Sequence, residues 1–189
     1  MGKITNALEE VLDHWWNGWE YLPKIQKVKD YHFEIMKELF PSKSHLVWDD
    51  IETTFMNLEM FFEKPQEQNY DLLYDQVVSY GELLSTRIIS AWLNENGYQN
   101  KWLDARNFII TDRLFREARI NWETTQNLIH RRVAPMAAKE PVITQGFIGS
   151  THANLTTTLG REGSDFTASI FAFALDADEV VIWKDVPGI

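Results

Sequence analysis

Over roughly the first hundred residues, apolar positions recur every three or four, the spacing of one buried helix face. Ile4, Leu8, Val11 and Leu12 open the pattern. Pro23 suits a first helical turn; Ile25, Val28, Phe33, Ile35, Met36 and Leu39 carry the next stripe to Phe40, and Pro41 stops it. Ile51, Phe55, Leu58, Phe61 and Phe62 form another, closed by Pro65. A further stripe joins Leu72, Leu73, Val77, Val78, Leu83, Leu84, Ile88, Ile89 and Trp92, with Gly81 inside it and Asn96-Gly97 at its end. The texture then changes. Residues 101–104 and 107–110 are short enough for strands or strand ends, and 119–132 is helical again. Residues 141–148 (PVITQGFI) predict a buried strand, 166–175 a helix, and 179–183 (EVVIW) a second buried strand. Strand, loop, helix and strand at this spacing form a βαβ pattern, hence an α/β fold with parallel strands and covering helices.

Composition narrows the partners. Eighteen basic against twenty-eight acidic residues give a formal net charge of −10. Nucleic acid and anionic membrane surfaces both need a basic footprint, so neither is the expected partner. With no cysteine there is no disulfide and no thiolate chemistry. No apolar run approaches the roughly 18 residues of a membrane span. The opening MGKITNALEEVLDHWW lacks the continuous apolar core of a signal peptide, so a cytoplasmic protein is expected.

Residues 156–169, TTTLGREGSDFTAS, carry the first candidate chemistry. Gly160 and Gly163 would let the backbone approach a ligand, and Ser164 or Asp165 would cap the following helix. A helix N-terminus offers free N–H groups and partial positive charge, and Arg161 adds a forked donor for a carboxylate or phosphate. An ordinary capped helix after a polar loop fits these residues equally well. Three more stretches stand out: 79–86 (SYGELLST), 143–149 (ITQGFIG) and 182–188 (IWKDVPG). The last two end strands, and ligands in open parallel sheets collect beyond the carboxyl ends of strands. Glu82, in an apolar helix, must face a cleft or an arginine of the same chain, because an unpaired buried carboxylate is costly. Trp15, Trp16 and Trp19, at helical spacing with Leu12, read as packing residues rather than a ligand surface. His14, His32, His45, His130 and His152 show no ligand spacing, so no metal site is expected.

Together these stretches resemble the aspartate kinases (aspartokinases) of the amino acid kinase family. The family's patterns G-E-x-x-S-T, T-Q-G-F-I-G, T-T-x-G-R-G-G-S-D-x-T-A and W-T-D-V-P-G all have counterparts here, in that order. A weaker fifth match is residues 1–6 (MGKITN). The resemblance covers essentially the whole chain. It implies a three-layer αβα sandwich with a mainly parallel sheet, truncated at both ends, with a helical N-terminal half. Residues 1–189 would form part of one catalytic domain, about 1–100 helical and about 101–189 α/β, without a regulatory ACT domain. It also implies transfer of a phosphoryl group from ATP, with Mg²⁺, to the β-carboxylate of L-aspartate. By motif position, Thr5, Glu82, Phe147, Arg161 and Ser164 would contact the amino acid, with Arg161 on a carboxylate and Glu82 facing the ammonium. Asp165 and Arg161 would be catalytic, and Gly146, Gly163, Lys184 and Asp185 would line the nucleotide site. A homo-oligomer is compatible with this resemblance.

Departures from the pattern qualify it. The family's K-F-G-G-[TS] segment, with its phosphate-binding lysine, has no counterpart here, so these residues alone are expected to be inactive or nearly so. Glu162 stands where glycine is usual and should point away from an anion; Lys184 replaces a usual threonine. A non-catalytic amino-acid-binding relic or regulatory partner, and a sibling kinase with another acidic substrate, are the alternatives.

Overall fold

The apolar stripes fold as four helices: α1 (Ile4–Trp16), α2 (Leu22–Leu39), α3 (Val47–Glu63) and α4 (Tyr70–Glu95). The computed structural model describes residues 3–42, 45–64 and 67–183. Pro23 sits in the first turn of α2, where a missing N–H is harmless. Asn69 caps α4 by accepting the Leu72 N–H at 3.2 Å. The facing sides form one core around Leu8, Leu12, Ile25, Met36, Ile51, Phe55, Leu58 and Leu73. Each such side chain, fully buried, contributes about 1.5–3 kcal/mol. Gly81 lets α1 pack closely on α4. A Cβ there would stand 3.0 Å from Ile4 Cγ2 and 3.4 Å from Leu8 Cδ1.

From residue 101 onward, five short strands form two sheets. β1 (Lys101–Trp102) pairs in parallel with β3 (Val142–Ile143). β2 (Ile110–Thr111) pairs in parallel with β4 (Ile148–Thr151), whose other edge carries β5 (Thr156–Thr158) antiparallel. The crossover helix runs through α5 (Trp122–Leu128), a π-helical turn (Ile129–Val133) and α6 (Ala134–Ala137). Pro135 lacks an N–H and crowds the carbonyl four residues back, and the widened turn ahead of it relieves both problems. α7 (Gly163–Leu175) closes the described fold. A second core, including Leu83, Ile109, Ile129, Val133, Ile148 and Ile170, binds these elements to the flank of α4. The chain is thus α/β with a helical first half, and none of its described helices is long and apolar enough to cross a membrane.

Four expectations are corrected. Residues 141–148 are not one strand: pairing stops after Ile143 and resumes at Ile148 in the other sheet, with Phe147 between them at φ 71°. Residues 179–183 form no strand; Val181 and Trp183 are 57% and 90% exposed. Their apolar pattern encodes a demand for neighbouring strands, and among the described residues none lies beside them. The residue capping α7 is Glu162, at φ 58°, rather than Ser164 or Asp165. Trp15 does pack, its Nε1 donating to the Phe62 carbonyl at 3.2 Å, but Trp19 lies past the end of α1 and is 60% exposed.

Candidate functional site

Gln145 draws two of the sequence motifs together. It is fully buried; its Oε1 accepts the Ala105 N–H at 2.8 Å and its Nε2 donates to the Leu103 carbonyl at 3.1 Å. The same Nε2 donates to Thr86 Oγ1 at 2.9 Å, and that hydroxyl donates to the Glu82 carbonyl at 2.8 Å. A buried amide with every bond satisfied fixes the strand end at 143–145 against the turn of α4 that carries Glu82.

The next motif packs onto α7. A Cβ on Gly146 would lie 2.8 Å from Ser164 Cβ and 2.9 Å from its Cα. A Cβ on Gly163 would lie 2.8 Å from Phe147 Cδ2 and 3.1 Å from Leu159 Cβ. Both glycines therefore owe their size to chain packing, and only their backbones could meet a nucleotide. Thr167 Oγ1 accepts the Phe147 N–H at 3.0 Å and donates to the Gly163 carbonyl at 2.8 Å. The N-terminus of α7 is less open than an anion site needs. The N–H of Gly163 donates to the Gly160 carbonyl, and those of Asp165 and Phe166 to the Glu162 carbonyl. Only the Ser164 N–H is left, in that first turn, without such a bond among the described residues.

Beside this turn lies a cleft of about 270 Å³ lined by Tyr74, Arg116, Glu117, Phe147, Thr158, Gly160 and Arg161. Arg161 is exposed and makes no hydrogen bond or ion pair with another described residue. Arg116 is held: its guanidinium stacks 4.0 Å over the Tyr74 ring, with Nη2 3.5 Å from Glu9 and Nη1 3.6 Å from Asp71. Arg116 is already answered by two carboxylates and Glu117 adds an acid to the lining, so of the two guanidiniums it is Arg161 that the cleft leaves for an anion.

The structure gathers Arg161 and Phe147 at this cleft, with Ser164, Gly146 and Gly163 packed beside it. Asp165 stands half-buried in the first turn of α7, where a carboxylate suits the helix dipole. Thr5 follows Ile4 on the stretch of α1 that abuts Gly81, one residue from Glu82. Glu82 is half-buried, and burial pushes its carboxyl above the ordinary 4.5. Its carboxylate makes no hydrogen bond or ion pair with another described residue, and no ion pair joins it to Arg161. Lys184 and Asp185 lie outside the described residues. Sequence reasoning missed Asp75, Gln145 and Arg116. Asp75 alone carried a signal, an acid among the apolar positions of α4 two residues before Val77.

The family model described as "Amino acid kinase family" matches residues 5–189. Lysine-sensitive aspartokinase 3 of Escherichia coli is 36% identical over 98% of this chain, which spans 41% of that relative. Aspartokinase 1, chloroplastic, of Arabidopsis thaliana is 32% identical over 100% of the chain, which spans 34% of it. The crystal structure of E. coli aspartokinase III in complex with aspartate and ADP (R-state) superposes with a TM-score of 0.90 at 34% identity. That superposition covers 100% of this chain and 42% of the solved one, and the complex with lysine and aspartate (T-state) agrees to the same degree. The chain belongs to the amino acid kinase family.

Proposed function

We propose that this chain is part of the catalytic domain of an aspartate kinase, an enzyme transferring the γ-phosphoryl group of ATP to the β-carboxylate of L-aspartate. The product is 4-phospho-L-aspartate, the opening intermediate of lysine, threonine and methionine biosynthesis. The observation that carries this reading is Arg161, an uncommitted guanidinium at a cleft beside Phe147 and the start of α7. The E. coli relative's complexes with aspartate and with ADP support it.

The β-carboxylate has a reference pKa of ~3.9 and is ionised at neutral pH, so it attacks without a general base. One carboxylate oxygen forms the new bond to Pγ while the bond from Pγ to the bridging oxygen breaks and ADP departs. The obstacle is electrostatic: two unit charges 4 Å apart repel by roughly 4 kcal/mol at an effective dielectric near 20. Positioning and positive charge therefore dominate catalysis. Arg161 grips a substrate carboxylate through two parallel bonds, and Glu82 receives the ammonium. Thr5, Phe147 and Ser164 complete the amino-acid pocket, and Asp165 stands near the reacting phosphate. The backbones at Gly146 and Gly163, with Lys184 and Asp185, line the nucleotide side. Among the described residues no three His, Asp or Glu side chains converge as a metal site. Mg²⁺ would therefore enter on the nucleotide's phosphates, where it supplies positive charge. Residues 1–189 contain no counterpart of the family's phosphate-binding lysine, and alone they should bind aspartate better than they turn it over. A cytoplasmic location, and self-association, belong to the same proposal.

Calorimetry on the chain tests the assignment, with L-aspartate, L-glutamate, N-acetyl-L-glutamate and UMP as ligands. Aspartate should bind tightest, and Arg161→Lys should weaken it about tenfold by losing the second bond of the fork. Equal affinity in wild type and R161K would refute the role of Arg161. Aspartate binding combined with ADP release at the rate of intact aspartokinases would refute the expected inactivity. Binding with little or no release is the outcome expected of these residues alone.

A further inference from the structure

Asp75 lies on α4 with no exposed surface, one residue after Tyr74, which lines the cleft. Its carboxylate takes three bonds from two other walls. The Thr158 hydroxyl donates to Oδ1 at 2.6 Å, the Thr158 N–H donates to Oδ2 at 2.9 Å, and the Arg116 N–H donates to the same Oδ2 at 2.9 Å. Neither partner belongs to α4. Thr158 is the last residue of β5, and Arg116 stands at φ 70°, a left-handed backbone that a non-glycine residue holds only when its surroundings fix it. The Thr158 carbonyl accepts the Ala118 N–H at 2.9 Å, which closes the same loop onto β5. From Thr158 the chain needs only Leu159 and Gly160 to reach Arg161, and the Leu159 N–H is itself tied to the Phe147 carbonyl at 2.9 Å.

We propose that Asp75 is the positioning residue of this cleft. By holding Thr158 and Arg116 from beneath, it sets the spacing between α4, the Arg116 loop and the turn that presents Arg161 to an acidic substrate. The substrate half of this inference rests on the aspartate assignment; the anchoring half does not. Asp75 has no exposed surface to offer a ligand and acts only through the residues it holds. Its location explains why a carboxylate is kept where an apolar residue would serve packing better. A carboxylate alone offers acceptors on both oxygens to two backbone N–H groups and a hydroxyl at once. Burial raises the Asp75 carboxyl above its ordinary 3.8, and the donors from Thr158 and Arg116 oppose that rise.

Thr158→Val tests this with little change of shape, removing one donor and leaving the carboxylate in place. Thr158→Ser keeps the donor and is the rescue control, and Asp75→Ala removes the anchor entirely. Hydrogen exchange followed by mass spectrometry reads the anchoring without any ligand. In T158V, exchange across residues 113–118 and 158–163 should rise about tenfold, while the interior of α4 keeps its protection and T158S behaves as wild type. L-Aspartate affinity by calorimetry should fall by about the same factor in T158V and recover in T158S. Unchanged exchange at 158–163 in T158V overturns the proposal, whether or not D75A folds. Faster exchange with unchanged aspartate affinity overturns the link from anchor to substrate. If wild type binds no aspartate, the aspartate assignment fails, while the exchange data still decide whether Asp75 anchors these segments.

Discussion

Replacing Glu82 with glutamine separates what a buried charge costs from what it does. Glu82 is half-buried on α4, and burial is the leading cause of its raised carboxyl pKa. No described side chain pairs with it. Glutamine keeps the shape and drops the charge. A buried neutral polar group without compensation costs about 1–3 kcal/mol by mutational measures, and an ionised one costs more, reduced here because Glu82 is only half-buried. E82Q should therefore stabilise the chain by about 1–2 kcal/mol at pH 7. For a chain of this size that is a melting temperature roughly 2–8 °C higher. The gain should depend on pH with a definite sign. Because the folded carboxyl titrates above its ordinary 4.5, the native state holds its proton more tightly than the unfolded chain does. Below 4.5 the group is neutral in both states and the two proteins should melt together. The gap should open as pH rises from 4.5 to the raised folded value, then stay constant. Asp75, also raised by burial, titrates in both proteins and drops out of the difference. Meanwhile E82Q should lose most of its L-aspartate binding, since no anion then faces the ammonium. Thermal melts from pH 4 to 8 with calorimetry check both limbs. If E82Q is less stable than wild type at neutral pH, Glu82 has a partner in the folded chain, and its reservation for a ligand is wrong.

Three other outcomes follow from the same geometry. Gly146→Ala should destabilise more than Gly163→Ala, because its Cβ meets the Ser164 backbone at 2.9 Å while that of Gly163 meets first the Phe147 ring. About 1–3 kcal/mol is expected for each by chemical denaturation, and equal melting of G146A and wild type would contradict the packing. Gln145→Leu should cost about 2 kcal/mol or more, since it leaves the Ala105 N–H buried without an acceptor and frees Thr86 from Leu103. His32 is buried, with Nδ1 2.8 Å from the Val28 carbonyl and Nε2 unpartnered among the described residues. Burial lowers its pKa below 6.5, so it contributes stability above 6.5 that is lost as pH falls through the folded value. His32→Leu should flatten that slope in melts between pH 5 and 7, and an unchanged slope would place the titration elsewhere.

Much of this molecule was legible before its coordinates, and the reasons differ by element. The four N-terminal helices declared themselves because a helix face repeats every three or four residues and buries locally chosen apolar side chains. Residues such as Ile51, Phe55 and Leu58 need no distant partner to be identified. The β elements were read less well because strands are defined by neighbours. PVITQGFI looks continuous, yet Phe147 turns left-handed in its middle and sends the two halves to different sheets. EVVIW has the composition of a core strand, but composition carries no information about whether a neighbour lies alongside. Arg161 and Glu82 stand out by their chemistry, and motif resemblance adds Phe147 and the role of each. Asp75 and Gln145, which hold those motifs in place, do not stand out, because a buried polar residue is explained only by donors that arrive from elsewhere in the chain. Asp75 takes its donors from residues 41 and 83 positions away.

Arg161 and Glu82 share a property that binds the site together. Each is charged, the side chain of each makes no hydrogen bond or ion pair with another described residue, and the two do not neutralise one another. A chain selected for stability alone would discharge both, by pairing them or by replacing Glu82 with an apolar residue. Keeping an unpaired acid half-buried and an unpaired arginine at a cleft makes sense when the missing partner carries both signs. The proposed substrate, an α-amino acid with an extra carboxylate, would do so, with its ammonium toward Glu82 and a carboxylate toward Arg161. Its binding energy is largest where the protein has left its own charges unsatisfied. Asp75 fits the same logic from the opposite side: it is a charge the chain satisfies completely, with three donors, so that the turn bearing Arg161 stays in place while Arg161 itself stays free.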